Sequence, residues 1–548
     1  MTWKRFALAI AAVAVIFIAF LYFFVTPKLV STLEETVYQE TGGAYTLKIE
    51  FASISLTEFS IVLENIYLKP NPDYFDSVPP VNSVIYAKMK QFDLGLTNIA
   101  RLLSSKEVTI ERLTLKQPEL VYFIYDNATD KEAESNFDST LTEATELGTL
   151  KIEELLLTDG QIGVYKVGKD TQRVAFSDHI LFELADFEFN ASLKDFVAYS
   201  GFRLTLDELN AVDYDQMLQF AANKAILNSL DSSFVAQNIT MVPTVEPSQF
   251  ARKKGFQTMV PTAEIGEIRI EGLSYLNIAL KQFAEARKIA IDSVDLHLFK
   301  DHKNDFIGQK ERALPNTFIK GINKKVHIDS VEITNMSVQI EEQTESGKKA
   351  KIRFENIHGL VTNICNDSLH IAAYPKMFFD ASGSIAGESE VSLQGFFELN
   401  HPNDAFEVKG TVDRMPLVVL NEFIDPITEV RFTKGKLEQM EFKMLADNLY
   451  ARGKLKMNIN DVSIQIGQKR PLETKRERIM RSIAISAGNA ALQIHQKVTD
   501  PTKRKGNISY IRDPNKSVFA YVFRSTLSGM LSAMGVKNRE DRLQRPAR

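Results

Sequence analysis

One spacing of apolar residues recurs along this chain and limits what it can fold into. In LKIEELLLTDGQIGVYKV, residues 150–167, taking Ile152 as zero, apolar side chains fall at +3 (Leu155), +5 (Leu157), +10 (Ile162) and +12 (Val164), around polar Thr158 and Asp159. The same spacing runs Phe51, Ile54, Leu56, Ile61, Leu63; then Ile110, Leu113, Leu115, Leu120, Tyr122; and Ile328, Val331, Ile333, Val338, Ile340. A further copy, Ile265, Ile268, Ile270, Leu273, Tyr275, carries Asn277 in its last slot. Alternation places successive side chains on opposite faces of a strand, so each copy offers one oily and one wet face. The +3 step breaks that parity and predicts a bulge or a bend. The polar pair at +6 and +7 predicts a strand, a tight turn and a strand: a hairpin or a sharp corner. The copies are about 40 to 110 residues apart, a structural echo and not a strict tandem array.

Most of Tyr45 to Ile466 reads as strand, helped by 36 Phe and dense β-branched residues, so the chain is expected to be mainly β. The segment 126–148 is acidic and poor in apolar residues and reads as a loop or linker. In 206–233, Met217, Leu218, Ala221, Ala225 and Leu227 follow helical spacing behind Asp213 and Asp215, which predicts a helical insertion.

Charge divides the chain unevenly. Residues 468–548 hold 18 Lys and Arg against 6 Asp and Glu, a basic module on a chain whose net charge is −5. Within it Phe519, Val522, Phe523, Leu527, Met530, Leu531 and Met534 lie near helical spacing behind Asp513-Pro514, with Lys516 and Arg524 beside the stripe. Such a helix suits a membrane interface; the plainer reading packs it on the last strands with its basic face in water. The overall balance gives no reason to expect nucleic acid.

At the start, Lys4 and Arg5 precede an uncharged apolar run over 6–25. Twenty residues at 1.5 Å each span about 30 Å, a hydrocarbon core. The bulky FLYFFV end and Pro27 predict an uncleaved anchor, with 1–5 in the cytoplasm and the bulk of the chain across the membrane. The single cysteine, Cys365, excludes an intramolecular disulfide framework.

Chemistry-bearing motifs are missing: no H-E-x-x-H, G-x-S-x-G, Walker loop or G-x-G-x-x-G occurs. His297 and His302 with Asp295 and Asp301 could be drawn as metal ligands, but His302 falls past an expected turn. Cys365 lacks a basic neighbour in sequence and reads as packed, not nucleophilic. No catalytic, cofactor or metal residues are nominated, and the expected function is not enzymatic.

An oily face must be covered, either by a second sheet in a sandwich or by an amphipathic guest in an open groove. Three segments carry a family resemblance. AKMKQFDLGLTNIARLLSSKEVTIERLTLKQPELVYFIYD, 87–126, resembles the signature of AsmA/TamB-like proteins, with a short amphipathic turn around Leu102-Leu103. So does the opening order of anchor, short helix VSTLEETVYQETGG and FASISLTEFSIVLENIYL, and so does GTVDRMPLVVLNEFIDPITEVRFTKGKLEQMEFKMLADNLYARGKLKM, through Pro416. The likeness spans most of 1–525 in loose apolar patterns. It implies an anchor at 6–25, an AsmA-like β unit over 26–125, the linker, a β-groove body over 149–467 and the basic region 468–548. The implied fold is a long, curved, taco-like antiparallel groove with short helices, anchored in a bacterial inner membrane and reaching into the periplasm. The implied role is sheltering or conducting phospholipid acyl chains in envelope and outer-membrane homeostasis, with the inner membrane and phospholipid as partners, and the outer membrane or an envelope protein as a further one. The groove candidates are Ile54, Leu56, Ile110, Leu113, Leu115, Ile152, Leu155, Leu157, Ile268, Ile270, Val331 and Ile333. The competing reading is an envelope scaffold with a closed β-sandwich core that binds protein partners.

Overall fold

A computed structural model describes residues 26–55, 60–77, 83–96, 107–125, 149–168, 170–190, 196–213, 215–275, 283–302, 310–466 and 503–534. These residues are mainly strand, and the strands of each unit hydrogen-bond side by side in sheet. No helix among them is long and apolar enough to cross a membrane; the anchor expected at 6–25 lies outside the described residues, as do 126–148 and the turn around Leu102-Leu103. The chain divides into two units, Met1–Gln216 with Phe220–Ala236, and Met217–Gln219 with Gln237–Arg548.

In the first unit, α1 (Thr26–Glu40) precedes β1 (Tyr45–Ser55), β2 (Ser60–Pro70), the short α2 (Pro72–Ser77), β3 (Ser83–Leu96), β4 (Glu107–Tyr125), β5 (Thr149–Val167), β6 (Thr171–Asn190), β7 (Phe196–Ala198) and β8 (Gly201–Val212). Spatial order follows chain order, with β8 beside β6 and β7 along one end of β6. Every pairing is antiparallel except β4–β5. Parallel neighbours need a connection of a dozen residues or more, and 126–148 supplies that length.

Two strands, β9 (Leu218–Asn228) and β10 (Ser233–Pro243), follow. The helix expected over 206–233 is therefore strand. Met217, Ala222 and Ala225 are buried there, Met217 against Phe250 and Val260, but the backbone is extended; helical spacing is a weak prior that sheet pairing overrides.

In the second unit, α3 (Pro247–Lys254) leads to β11 (Val260–Glu271), β12 (Phe283–Asp301), α4 (Pro315–Lys320), β13 (Lys325–Gln343), β14 (Lys349–Cys365) and α5 (Ser368–Ala373). Then come β15 (Lys376–Ile385), β16 (Ser389–Glu398), β17 (Phe406–Val412), the two-residue β18 (Met415–Pro416), α6 (Asn421–Thr428), β19 (Val430–Ala446), β20 (Tyr450–Ile466), β21 (Lys503–Ile511) and α7 (Val518–Ala533). Pairing is again sequential and antiparallel, with β12–β13 the parallel exception.

The recurrent motif has three outcomes. The copy at 51 is a hairpin, with Ile54 opposite Ile61 and Ser55 opposite Ser60. In the copies at 110, 152 and 328 the strand does not reverse. A single left-handed residue at +7 turns it: Gln117 (φ 49°), Asp159 (φ 53°) and Asn335 (φ 53°). In the copy at 265 that slot is Gly272 (φ 68°), just past the end of β11. The +3 parity break is a second bend. In three copies the ladder skips a pair at position +1, where the next strand carries a left-handed residue: Asp186 (φ 52°) across from Glu153, Ser293 (φ 57°) across from Gly266, Asn363 (φ 62°) across from Asp329. Polar side chains hold these bends by bonding across to the neighbouring strand. Gln117 Nε2 donates to Asp159 Oδ2 at 2.8 Å, and Asn335 Nδ2 to Asp292 Oδ1 at 2.9 Å.

Candidate functional site

Because cross-strand partners share a face, register alone assembles the surface. The parallel pairing of β4 with β5 sets one motif copy beside the next: Ile110 opposite Ile152, Leu113 opposite Leu155, Leu115 opposite Leu157. Antiparallel neighbours carry the motif written backwards, so Phe187, Leu184 and Phe182 of β6 face Ile152, Leu155 and Leu157. Extended across the unit, one row runs Ile54, Ile61, Leu94, Leu113, Leu155, Leu184, Phe202. A parallel row runs Ala52, Leu63, Phe92, Leu115, Leu157, Phe182, Leu204. Seven strands at ~4.8 Å each make an apolar stripe about 30 Å long. The intervening residues of the opposite face are largely polar, with Arg112 paired to Glu154 at 2.8 Å.

Leu63 is the one fully buried member of those two rows; the rest are half-buried. A side chain in the middle of a two-sheet core is sealed, and these are not. Leu56 lies outside the described residues, and Ile152, at the far end, is buried.

The second unit repeats the arrangement and then closes it. Ile268 and Ile270 face Ile291 and Ile289, which face Ile333 and Val331 across the parallel pair; all six are half-buried. Farther along the same rows, Val408, Phe442, Met444, Leu455 and Ile508 are sealed in one hydrophobic core. Tyr521 of α7 drops into that core against Phe406 and Tyr510, and burial pushes its phenol well up. The helix comes this close because both chains are bare where they cross: a Cβ on Gly506 would lie 2.0 Å from the Gly529 carbonyl oxygen.

The amphipathic helix expected behind Asp513-Pro514 thus exists and packs on the last strands, the plainer of its two readings, but its stripe divides. Leu531 is buried and Val522 and Met530 pack on the core, Leu527 is half-buried, and Phe519 and Phe523 stand exposed. The drawn metal ligands do not converge: His297 approaches Glu341 at 3.7 Å, while His302 meets Glu342 at 3.0 Å and Gln257 at 3.1 Å. Among the described residues no cluster of three or more His, Cys, Asp or Glu could hold a metal. Cys365 is buried, which raises its thiol.

Reading the motif forwards misses Phe92, Leu94, Phe182, Leu184, Ile289 and Ile291. Searching in reverse for the first three slots of that spacing finds the two sets on β6 and β12. Comparison with protein-family models and with curated proteins returns no match for this chain.

Proposed function

We propose that this chain is a membrane-anchored envelope protein of the AsmA-like type that shelters or conducts phospholipid acyl chains along its apolar sheet face. In this reading residues 6–25 hold the inner membrane, the sheet stands in the periplasm, and no chemistry is performed. The observation that carries it is the pair of in-register apolar rows left half-open to solvent. Each acyl CH₂ removed from water is worth about 0.8 kcal/mol, so a continuous oily row is a favourable bed for a tail while its headgroup stays wet. A contiguous apolar surface that the chain leaves unsealed is a candidate binding site. The sealed strands β17–β21 favour the scaffold reading for that stretch, so the lipid path is assigned to the half-buried strands alone.

Photo-crosslinking side chains at Leu113 and Leu155 are expected to give phospholipid adducts in the native envelope, and the same probe at neighbouring Glu154, on the polar face, is not. Equal labelling at Leu155 and Glu154, or none at Leu155, contradicts the proposal.

A further inference from the structure

At one end of the second unit β14, β16, β19 and β21 finish while β15, β17 and β20 begin, so their turns gather there with α4 and α5. Backbone bonds tie these turns together: Asn448 N donates to Asn403 O at 2.9 Å and Arg512 N to Leu449 O at 2.8 Å. This rim carries large apolar side chains in open solvent. Leu369 is 81% exposed, Tyr374 64%, Leu445 and Leu449 60%, with Phe378 and Ile511 about half exposed.

Behind the rim, on the solvent face of the same strands, lysines occupy neighbouring register positions. Lys409 stands opposite Lys443, Lys443 opposite Lys454, and Lys456 opposite Lys505. Like charges set directly opposite destabilise a sheet. Glu407 offsets two of them, at 3.3 Å from Lys409 and 3.1 Å from Lys443. Lys454, Lys456 and Lys505 have no carboxylate within ion-pair distance among the described residues. Two further cations lie over rim aromatics, Lys376 over Phe396 and Arg452 over Tyr450. The other face of these strands is the sealed core, to which neither the exposed rim side chains nor the lysines belong.

The two features together select the partner. A soluble polyanion satisfies the lysines and leaves the apolar rim in water. A bilayer bearing anionic headgroups takes both, the rim entering the interface and the lysines meeting phosphates. We infer that this end of the second unit docks on the surface of an anionic phospholipid bilayer. The inference does not depend on lipid lying in the apolar rows.

The test uses the full chain incorporated into neutral phosphatidylcholine vesicles and measures capture of a second, labelled set of vesicles made with or without phosphatidylglycerol. Capture of the phosphatidylglycerol set, weakening as salt rises, is expected. Lys454→Glu with Lys505→Glu should cut it by about tenfold or more, given the attraction of each cation near such a surface. Lys454→Arg with Lys505→Arg should keep it, and Leu445→Ser with Leu449→Ser should lower it. Melting temperatures check that the variants fold, and lipid copurifying with the chain reports separately on the apolar rows. Equal capture of both vesicle types, or no capture, overturns the inference. Full capture by the serine variant together with competition by soluble polyphosphate also overturns it, in favour of a soluble polyanion.

Discussion

Asp159 shows how much one residue does at a bend. Its carboxylate accepts from Gln117 and meets His179 Nδ1 at 2.6 Å, and these two bonds, Gln117 first, hold it below the usual carboxylate range. The same contact raises His179 above its ordinary value. The two signs differ. The His179 contribution is complete below the unfolded histidine value and fades as pH rises through the raised one. The Asp159 contribution is present above the unfolded carboxylate value and is lost as pH falls through the lowered one. An NMR titration should find His179 above about 6.5, and Asp159→Asn should bring it down; no movement contradicts the pairing. Asn335, also left-handed, makes a conformational prediction. Asn335→Val should cost roughly 1–2 kcal/mol in denaturant unfolding and Asn335→Gly much less, because a Cβ crowds the next carbonyl at positive φ, a branched one most of all, and glycine has none. The polar pair at +6 and +7 was readable in sequence as a corner. Whether it made a hairpin or a bend was not, since both use the same residue types and only the pairing partner decides.

Among the elements, α7 has the most to explain. Its small face lies along the outer edge of β21, where Ser528 Oγ accepts from Ser509 N at 3.1 Å and Ser532 Oγ accepts from Asn507 N at 3.0 Å. An unpaired strand edge invites another strand, and these hydroxyls occupy its donors. Ser528→Ala leaves the buried Ser509 amide without its acceptor, at a cost of about 1–3 kcal/mol. Hydrogen exchange at Ser509 should speed up accordingly, and unchanged exchange would show that the serine does not cap the edge. The helix itself follows from its spacing and its Ser517 cap, whose hydroxyl accepts from Ala520 N at 3.3 Å. Its orientation did not, because the apolar stripe suggested Leu531 and Phe523 would share a destination. The tight crossing at Gly506 and Gly529 turns the small residues inward and leaves Phe519 and Phe523 outside. The segment 206–233 failed for a related reason: apolar residues three or four apart are also met in a kinked strand.

For the whole molecule, a mainly β chain with one oily face was legible because alternation is a backbone property that every strand must obey. The length of the stripe was not, because antiparallel neighbours spell the motif in reverse and register lies outside any single strand. Nor was the contrast between half-open rows at Leu113, Leu155 and Ile291 and the sealed core around Met444 and Leu455. That contrast comes from what lies over the face, such as α7, and not from the strands themselves.

Native mass spectrometry of the gently extracted full chain tests the central claim most directly. Phospholipid should remain bound to the wild-type chain, and Leu113→Asp with Leu155→Asp should release it while the melting transition persists. A lipid-free wild-type chain, or a double variant that is folded and still loaded, contradicts the account.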